Sequence, residues 1–377
     1  MDHMNVVDYI KEHGLEKLQS EFAITITDYP DRVAVNYNQL DSPRFHPIVD
    51  ECRGLILRKG TWDVMARSFD RFYNLNEEPN APKVDVSKAL LQEKLDGSLM
   101  SMYHDGEKWC VATRKKAFAE GSTTYGRIFS EIFWSVVDPK AFDFGQNICW
   151  IFELIGPENR IVTRYEKPAV RLIGGRMLTT GAELHSGLLD SISEETGIAR
   201  PKTYSASSFE EVRKLADSQP VLDEGFVLVW EQAGQSHYRL KCKNSAYLAI
   251  AHMRDNGIIG PKHILRLVMM KEDEEYLSYF EEDIKLFEIV RTDFEDLLED
   301  AKEVYQEFKS LENQKNFALS IMGKLRHKFI QGALFSTRKG EHPDIETAIR
   351  AMAPDKLAEN MNLREKLGQT FSDQEVD

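Results

Sequence analysis

The sequence predicts an α+β protein in which a domain of antiparallel sheets with flanking helices is followed by an all-α carboxy-terminal domain. Up to Ala246, short apolar runs are punctuated by Gly, Pro, Asn and Asp, the pattern of strands and turns. Beyond Tyr247 the strand signals fade and apolar residues recur at helical spacing. The length of 377 residues, against ~100–200 residues per domain, leaves room for two domains, divided here as residues 1–246 and 247–377.

In chain order, Arg53–Arg58, Cys149–Ile155, Val170–Gly174, Gly225–Trp230 and His237–Lys243 read as strands. Amphipathic stretches near Ala119–Val137 and Ser207–Ala216 predict helices between them. Leu286, Val290, Phe294, Leu297, Ala301, Val304 and Phe308 follow one another at steps of three and four, the stripe of one long amphipathic helix. Gly340–Pro343 and Ala353-Pro354 mark turns between further helices, and Phe371–Asp377 is expected to fray.

Apolar residues make up 42% and charged residues 29%, ordinary globular values that exclude a disordered or fibrous chain. No window approaches 18 uninterrupted apolar residues, and the start lacks a basic region followed by an apolar core, so neither a membrane span nor a secretory leader is expected. Cys52, Cys110, Cys149 and Cys242 form no C-x-x-C pair and read as reduced thiols of an intracellular, cytoplasmic protein. The ten histidines show no metal-ligand spacing.

A net charge of −14 would ordinarily argue against a nucleic-acid partner. The distribution removes that objection: Lys271–Ser310 holds fifteen acidic against five basic residues, a local net of −10, leaving −4 for the rest. Lys315, Lys324, Arg326, Lys328, Arg338 and Lys339 against Glu312 make residues 311–340 a basic run. It reads as an RNA-backbone contact or as a solvated helix face.

The chemistry centres on Lys94-Leu-Asp-Gly-Ser98. A strand that stops at a glycine-containing turn can present one lysine amine in a pocket, with an acid two positions on. Glu51-Cys-Arg-Gly54 and Ser68-Phe-Asp-Arg-Phe-Tyr-Asn-Leu-Asn-Glu77 precede it. Phe152-Glu-Leu-Ile-Gly-Pro-Glu-Asn-Arg-Ile-Val162, Asp223-Glu-Gly-Phe-Val227 and Leu240-Lys-Cys-Lys243 follow. In this order, over about residues 30–250, the segments resemble the covalent nucleotidyltransferase superfamily of ligases and capping enzymes, and within it the phage-type RNA ligase 1 family.

The resemblance implies an amino-terminal adenylyltransferase domain and an ATP-dependent RNA ligase that joins a 5′-phosphate to a 3′-hydroxyl. Lys94 would take AMP as a lysyl phosphoramidate, pass it to the RNA 5′-phosphate, and the 3′-hydroxyl would then displace AMP. The implied ATP-binding set is Tyr37, Arg53, Arg71, Tyr73, Lys94, Lys115, Glu153, Glu224, Lys241 and Lys243. Within it, Arg53 and Arg71 fork onto the β- and γ-phosphates, although lysine is commoner in the family at position 71. Tyr73 stacks on adenine, and Lys115, or its neighbours Arg114 or Lys116, meets phosphate. Asp96, Glu153 and Glu224 would hold a hydrated Mg²⁺, for which Mn²⁺ can substitute. The implied partner is broken RNA, nicked tRNA included, sealed by a monomer in the cytoplasm, a phage's host included.

Two arguments stand beside the resemblance. Lys241 and Lys243, two apart on a strand, point to one face and can meet the α-phosphate together. Lys94 must be neutral to attack, and burial with Lys241, Lys243 and a magnesium ion beside it would lower its pKa from the ordinary value of about 10.4. The alternatives are a DNA ligase or capping-type nucleotidyltransferase, whose families follow Lys-x-Lys with a β-rich barrel, and a non-catalytic RNA-binding protein of the same fold.

Overall fold

The computed structural model describes residues 4–75, 77, 84–123, 125–255 and 257–368, so the expected fraying of Phe371–Asp377 lies outside the described residues. The chain divides into two compact units, Met1–Gly257 and Ile258–Val376. The first is α+β and its strands pair antiparallel with one exception; the second is helical after the two-residue strand Ile258–Ile259. Among the described residues no helix is long and apolar enough to cross a membrane.

In the first unit, helices α1 (Asn5–His13) and α2 (Leu15–Phe22) lead into β1 (Ile24–Asp28) and β2 (Arg32–Tyr37). Helix α3 (Pro47–Glu51), β3 (Arg53–Arg58) and β4 (Val64–Ala66) follow. Strands β1 to β4 form one sheet in sequence order. Alternation divides its core: Val33, Val35, Leu55 and Leu57 pack on Val6, Ile10, Leu18 and Phe22 of the helices. Ala34 and Ile56 face the other way, onto Tyr103, Cys110 and Cys149. All six β2 residues are therefore buried.

The remaining strands build two further sheets. They are β5 (Tyr73–Asn74), β6 (Leu90–Glu93), β7 (Ser98–His104), β8 (Trp109–Ala112), β9 (Ile148–Ile155), β10 (Ala169–Met177), β11 (Thr203–Tyr204), β12 (Gly225–Trp230) and β13 (Tyr238–Lys243). One sheet has the order β11-β6-β12-β13-β5, the other β10-β9-β7-β8. The β5–β13 pair is parallel.

This topology places the nucleophile motif. Strand β6 belongs to one sheet and β7 to the other, so Lys94–Gly97 is the crossing between them. The crossing needs glycine at 97, because a Cβ there would sit 2.3 Å from the Leu154 carbonyl oxygen. Each sheet supplies one expected acid: Glu153 lies on β9, paired with Leu99 of β7, and Glu224 immediately precedes β12, whose Phe226 pairs with Glu93.

The helices of this unit are α4 (Phe129–Trp134), α5 (Ser186–Thr196), α6 (Phe209–Asp217) and α7 (Ser245–Ala251). Helix α6 matches the amphipathic stretch at Ser207–Ala216, and Ser208 caps it by accepting from the Glu211 N–H. The helix expected over Ala119–Val137 is mostly absent: only Phe129–Trp134 is helical. Ala119 (φ 50°) and Gly126 (φ 77°) take left-handed backbone, and Ser122 bridges Ile128 instead. The apolar residues there pack into the core without a helical backbone, Ala119 beside Phe133 and Trp150.

The second unit comprises α8 (Pro261–Met270), α9 (Asp273–Tyr279), α10 (Ile284–Phe308), α11 (Gln314–Lys324), α12 (Gln331–Arg338), α13 (Ile345–Arg350), α14 (Pro354–Asn360) and α15 (Leu363–Lys366). Helix α10, of 25 residues, buries Val290, Phe294, Leu297, Ala301 and Val304 as the stripe requires. At its start Phe287 is the buried residue while Leu286 is only partly covered. Gly340 turns with φ 77° and Pro354 opens α14, matching both expected breaks.

Candidate active site

Glu224 organises the centre. Its Oε2 lies 2.6 Å from Lys94 Nζ and its Oε1 2.9 Å from Lys243 Nζ, so one buried carboxylate bridges the nucleophile and the closing lysine. Register makes this possible. Lys94 N–H donates to the Gly225 carbonyl at 2.8 Å, and Gly225 pairs with Lys243. Gly225 has φ 121° and a Cβ there would fall 2.3 Å from the Cys242 carbonyl oxygen, so only glycine can follow Glu224 at this approach.

The charge states differ from the expectation for Lys94. Burial alone lowers its pKa, but the charges of Glu224 and Glu153 outweigh it and hold the amine above its ordinary value. The depressed lysine is Lys241, two residues from Lys243. It is desolvated, with Arg53, Lys94, Lys243 and Arg114 around it, and its pKa falls well below the usual range. Among the described residues no ion pair reaches it. Without nucleotide the nucleophile is thus the charged lysine and its neighbour the suppressed one.

Glu153 is the second acid. Desolvation, assisted by Glu224 and opposed by Lys94, pushes it up to about 8. Among the described residues its carboxyl makes no hydrogen bond or ion pair. A half-buried carboxyl uncommitted to protein donors suits a hydrated divalent cation, which keeps most of its waters.

Asp96, the third acid of the expected metal set, is the most enclosed of the three by hydrogen bonds. It is 2% exposed, and its Oδ2 accepts from the Val162 and Thr163 N–H groups, each at 2.7 Å, while Oδ1 accepts from the Tyr247 hydroxyl at 2.8 Å. The carboxylate ties the Pro-x-Asn-Arg-Ile-Val segment and α7 to the nucleophile turn. Asn159 does the same from the other direction, donating to Ser98 Oγ at 3.1 Å and to the Leu154 carbonyl at 2.7 Å. Tyr165 adds a third tie by accepting from the Asp96 N–H at 3.2 Å.

Beyond Lys241 the cations continue. Arg53 opens β3 and keeps a buried Nη1 without a hydrogen-bond partner; desolvation lowers its pKa to about 10. Phe72 is the aromatic of this cluster, its ring centroid 5.2 Å from the Arg53 guanidinium and 4.7 Å from Lys241 Nζ. Tyr37 lies beneath Arg71 at 4.1 Å and Arg114 at 5.1 Å. Of Thr113-Arg-Lys-Lys-Ala117, Arg114 is brought to the cluster, and its Nε is also buried without a hydrogen-bond partner. The Lys115 main-chain carbonyl accepts from the Thr27 hydroxyl at 2.9 Å.

Tyr73 goes elsewhere. Its hydroxyl donates to Asp50 Oδ1 at 2.6 Å and accepts from the Phe45 N–H at 2.8 Å, and its ring packs on Phe45 at 4.2 Å. It adjoins Arg71, whose guanidinium carbon lies 5.2 Å from the Tyr73 ring centroid. Sequence reasoning missed Phe72, Tyr165 and Tyr247, since an aromatic in an apolar run carries no mark of what it touches. It also missed His185, Glu231 and His237, whose ligand atoms lie within 4.8 Å of one another. There both His237 nitrogens already meet main chain, the Gln232 N–H and the Leu184 carbonyl.

A sequence profile of a family described as RNA ligase matches residues 51–247, just over half of the chain. The chain belongs to this phage-type RNA ligase family. Among curated relatives, a bifunctional polynucleotide kinase/RNA ligase from Autographa californica nuclear polyhedrosis virus is 30% identical, over 74% of this chain and 42% of the viral protein. An RNA ligase of Rhodothermus phage RM378 is 28% identical over 85% of this chain and 92% of its own. The chain thus spans less than half of the first relative and nearly all of the second. Among solved structures, an archaeal ATP-dependent RNA ligase is 14% identical over 89% of this chain and 82% of that one, with a TM-score of 0.47.

Proposed function

We propose that the chain is an ATP-dependent RNA ligase in which Lys94 carries the adenylate. The observation that carries this reading is the Lys94–Glu224–Lys243 bridge beside Lys241, Arg53 and Arg114, cations that form no ion pair among the described residues. A chain does not bury such groups unless a ligand supplies the missing negative charge. A triphosphate supplies it.

The chemistry follows from the charges. Lys94 Nζ must lose a proton and attack the α-phosphorus in line with the departing pyrophosphate. Lys241 and Lys243, on one strand face, hold the α-phosphate. Tyr37, Arg53, Arg71 and Arg114 take the β- and γ-phosphates. Negative charge arriving there would by itself hold the proton on Lys94; a Mg²⁺ or Mn²⁺ held through water by Glu153, and by Glu224 once it releases Lys94, would offset that charge and let the proton pass to water. Such an ion would neutralise charge on the phosphate oxygens. Transfer of AMP to an RNA 5′-phosphate and attack by a 3′-hydroxyl complete the cycle, with nicked tRNA as one substrate, a cytoplasmic setting and a monomer as the working unit. We assign catalysis to the first unit, which runs to Gly257 rather than to the expected Ala246 because Tyr247 of α7 is tied to Asp96, and treat the chain from Ile258 on as the appended helical unit.

Intact-mass spectrometry with ATP and magnesium tests the reading. The wild type should gain one AMP, and Lys94→Ala none. GTP in place of ATP, or DNA ends in place of RNA, distinguishes capping enzymes and DNA ligases. Absence of any adduct on the wild-type chain would refute it.

A further inference from the structure

The aromatic pair that does not serve the phosphates sits at the mouth of a cavity of about 410 Å³. Phe45 is a non-glycine residue with φ 59°, in the left-handed region that ordinary side chains avoid. Its ring is 41% exposed, yet the backbone is pinned: the N–H donates to the Tyr73 hydroxyl, which in turn donates to Asp50. The ring lies at 35° to Tyr73 with centroids 4.2 Å apart. Arg44 stands 5.4 Å from the Phe45 centroid and 5.2 Å from that of Tyr73, and is itself held by Glu77 at 2.8 Å. Such strain persists only where the surroundings enforce it, and it collects at ligand-binding positions.

Resting on the ligase reading, we infer that this Phe45–Tyr73 cavity receives the base of the RNA's 5′-terminal nucleotide. The argument is geometric. Pyrophosphate leaves the α-phosphorus on the side opposite Lys94. In the next step an RNA 5′-phosphate oxygen bonds to that same phosphorus, and the Lys94 nitrogen departs with the bonding electrons and takes up a proton from water. Attack is again opposite Lys94, so the RNA phosphate must occupy the place that pyrophosphate vacated, among Tyr37, Arg53, Arg71 and Arg114.

Arg71 connects that place to the cavity, with its guanidinium carbon 4.1 Å from the Tyr37 centroid and 5.2 Å from that of Tyr73. The nucleoside attached to the phosphate therefore leaves toward Tyr73 and Phe45. An aromatic face flanked by arginines is the surface on which unpaired bases stack without sequence preference. Gln232, in the cavity wall, offers an amide to the base edge, and Ser236, whose hydroxyl donates to Asp70 at 3.0 Å, offers its oxygen as an acceptor.

The test measures adenylylation and ligation separately, with a 5′-phosphorylated single-stranded RNA and a version abasic at its first nucleotide. Phe45→Ala should adenylylate Lys94 as the wild type does but lose at least about ten-fold in kcat/KM for the intact RNA. Phe45→Trp should recover it. On the wild type the abasic RNA should lose the same factor, and combined with Phe45→Ala the two losses should not multiply. The abasic arm decides the matter on unaltered protein if Phe45→Ala folds poorly. Normal ligation by Phe45→Ala, full ligation of the abasic RNA by the wild type, multiplying losses, or a parallel fall in adenylylation would each overturn the inference. A wild type that never forms lysyl-AMP would instead defeat the ligase reading.

Discussion

Two groups of cations, one in each unit, are made of the same residue types and do opposite things. Around Lys94, the Arg53 Nη1 and Arg114 Nε are buried without hydrogen-bond partners, and among the described residues Lys241 forms no ion pair. In the helical unit the basic run is answered in part: four of its six cations, Lys324, Arg326, Arg338 and Lys339, meet acids or carbonyls, while Lys315 and Lys328 are exposed and form no ion pair among the described residues. Arg326 meets Asp296 at 2.9 Å and Asp300, Lys324 meets Glu307 at 3.6 Å, and Arg338 donates to the carbonyls of Lys309, Leu311 and Glu312. Charge counted along a sequence is therefore a poor guide to ligand binding. What separates the groups is burial: the first keeps buried donor atoms unanswered, whereas the unpaired cations of the second, Lys315 and Lys328, are exposed to solvent.

The largest contrast should come from substituting one member of each group. Arg53→Met should slow adenylylation by on the order of a hundredfold. It should leave the ligand-free melting temperature unchanged or higher, because a buried donor without an acceptor disappears. Asp300→Asn should do the reverse. Asp300 is 3% exposed and accepts from the main-chain N–H of Arg326 and His327. Its loss should cost about 1–3 kcal/mol in chemical denaturation and leave adenylylation intact. A fall in adenylylation with Asp300→Asn, or a less stable Arg53→Met, would break the distinction.

The next effect is on pH dependence. Since Lys94 is held above its ordinary pKa by Glu224 and Glu153, the reactive neutral fraction is small at neutrality and grows with pH. Single-turnover adenylylation should keep rising with pH beyond 8, about tenfold per unit while the amine remains mostly charged. Glu224→Gln should move that limb to lower pH while reducing its height. A rate independent of pH from 7 to 9 would show that nucleotide binding alone frees the amine.

A smaller effect belongs to Glu153. Its folded pKa of about 8 lies above its unfolded value, so the folded state binds the extra proton between about 4.5 and 8. Ligand-free stability should fall as pH rises through that window. Glu153→Gln should melt higher than the wild type at pH 9, with the difference closing near pH 4.5. The smallest effect is Lys324→Ala in the exposed pair with Glu307: a change within about 0.5 kcal/mol, and no change in the salt dependence of RNA binding.

The motifs made the strands that carry them legible, since a lysine two residues from another, or a glutamate within an apolar run, has only a few ways to sit on a strand. The long helix was equally readable, off by one residue where Phe287 replaces Leu286. The Ala119–Val137 stretch was not, because its apolar residues are buried by a looped chain whose left-handed positions give no periodic signal. Within the site, residue types were legible but allegiances were not. Asp96 reads as a metal ligand in the sequence, yet its hydrogen bonds to Val162, Thr163 and Tyr247 also make it a clasp, and the loop's approach to Gly54 brings Arg114 to Tyr37. Which lysine carries the proton depends on distances to Glu224 that no spacing rule contains.

The single carboxylate shared by Lys94 and Lys243 also inverts the order in which the resting protein should react with electrophiles. An acylating or aldehyde reagent seeks a free lone pair, and the Glu224 bridge withholds that of the nucleophile while desolvation exposes that of Lys241. Brief labelling before nucleotide is added should accordingly mark Lys241 first. The residue built to be attacked by nothing and to attack one phosphorus atom is kept chemically silent until its substrate arrives.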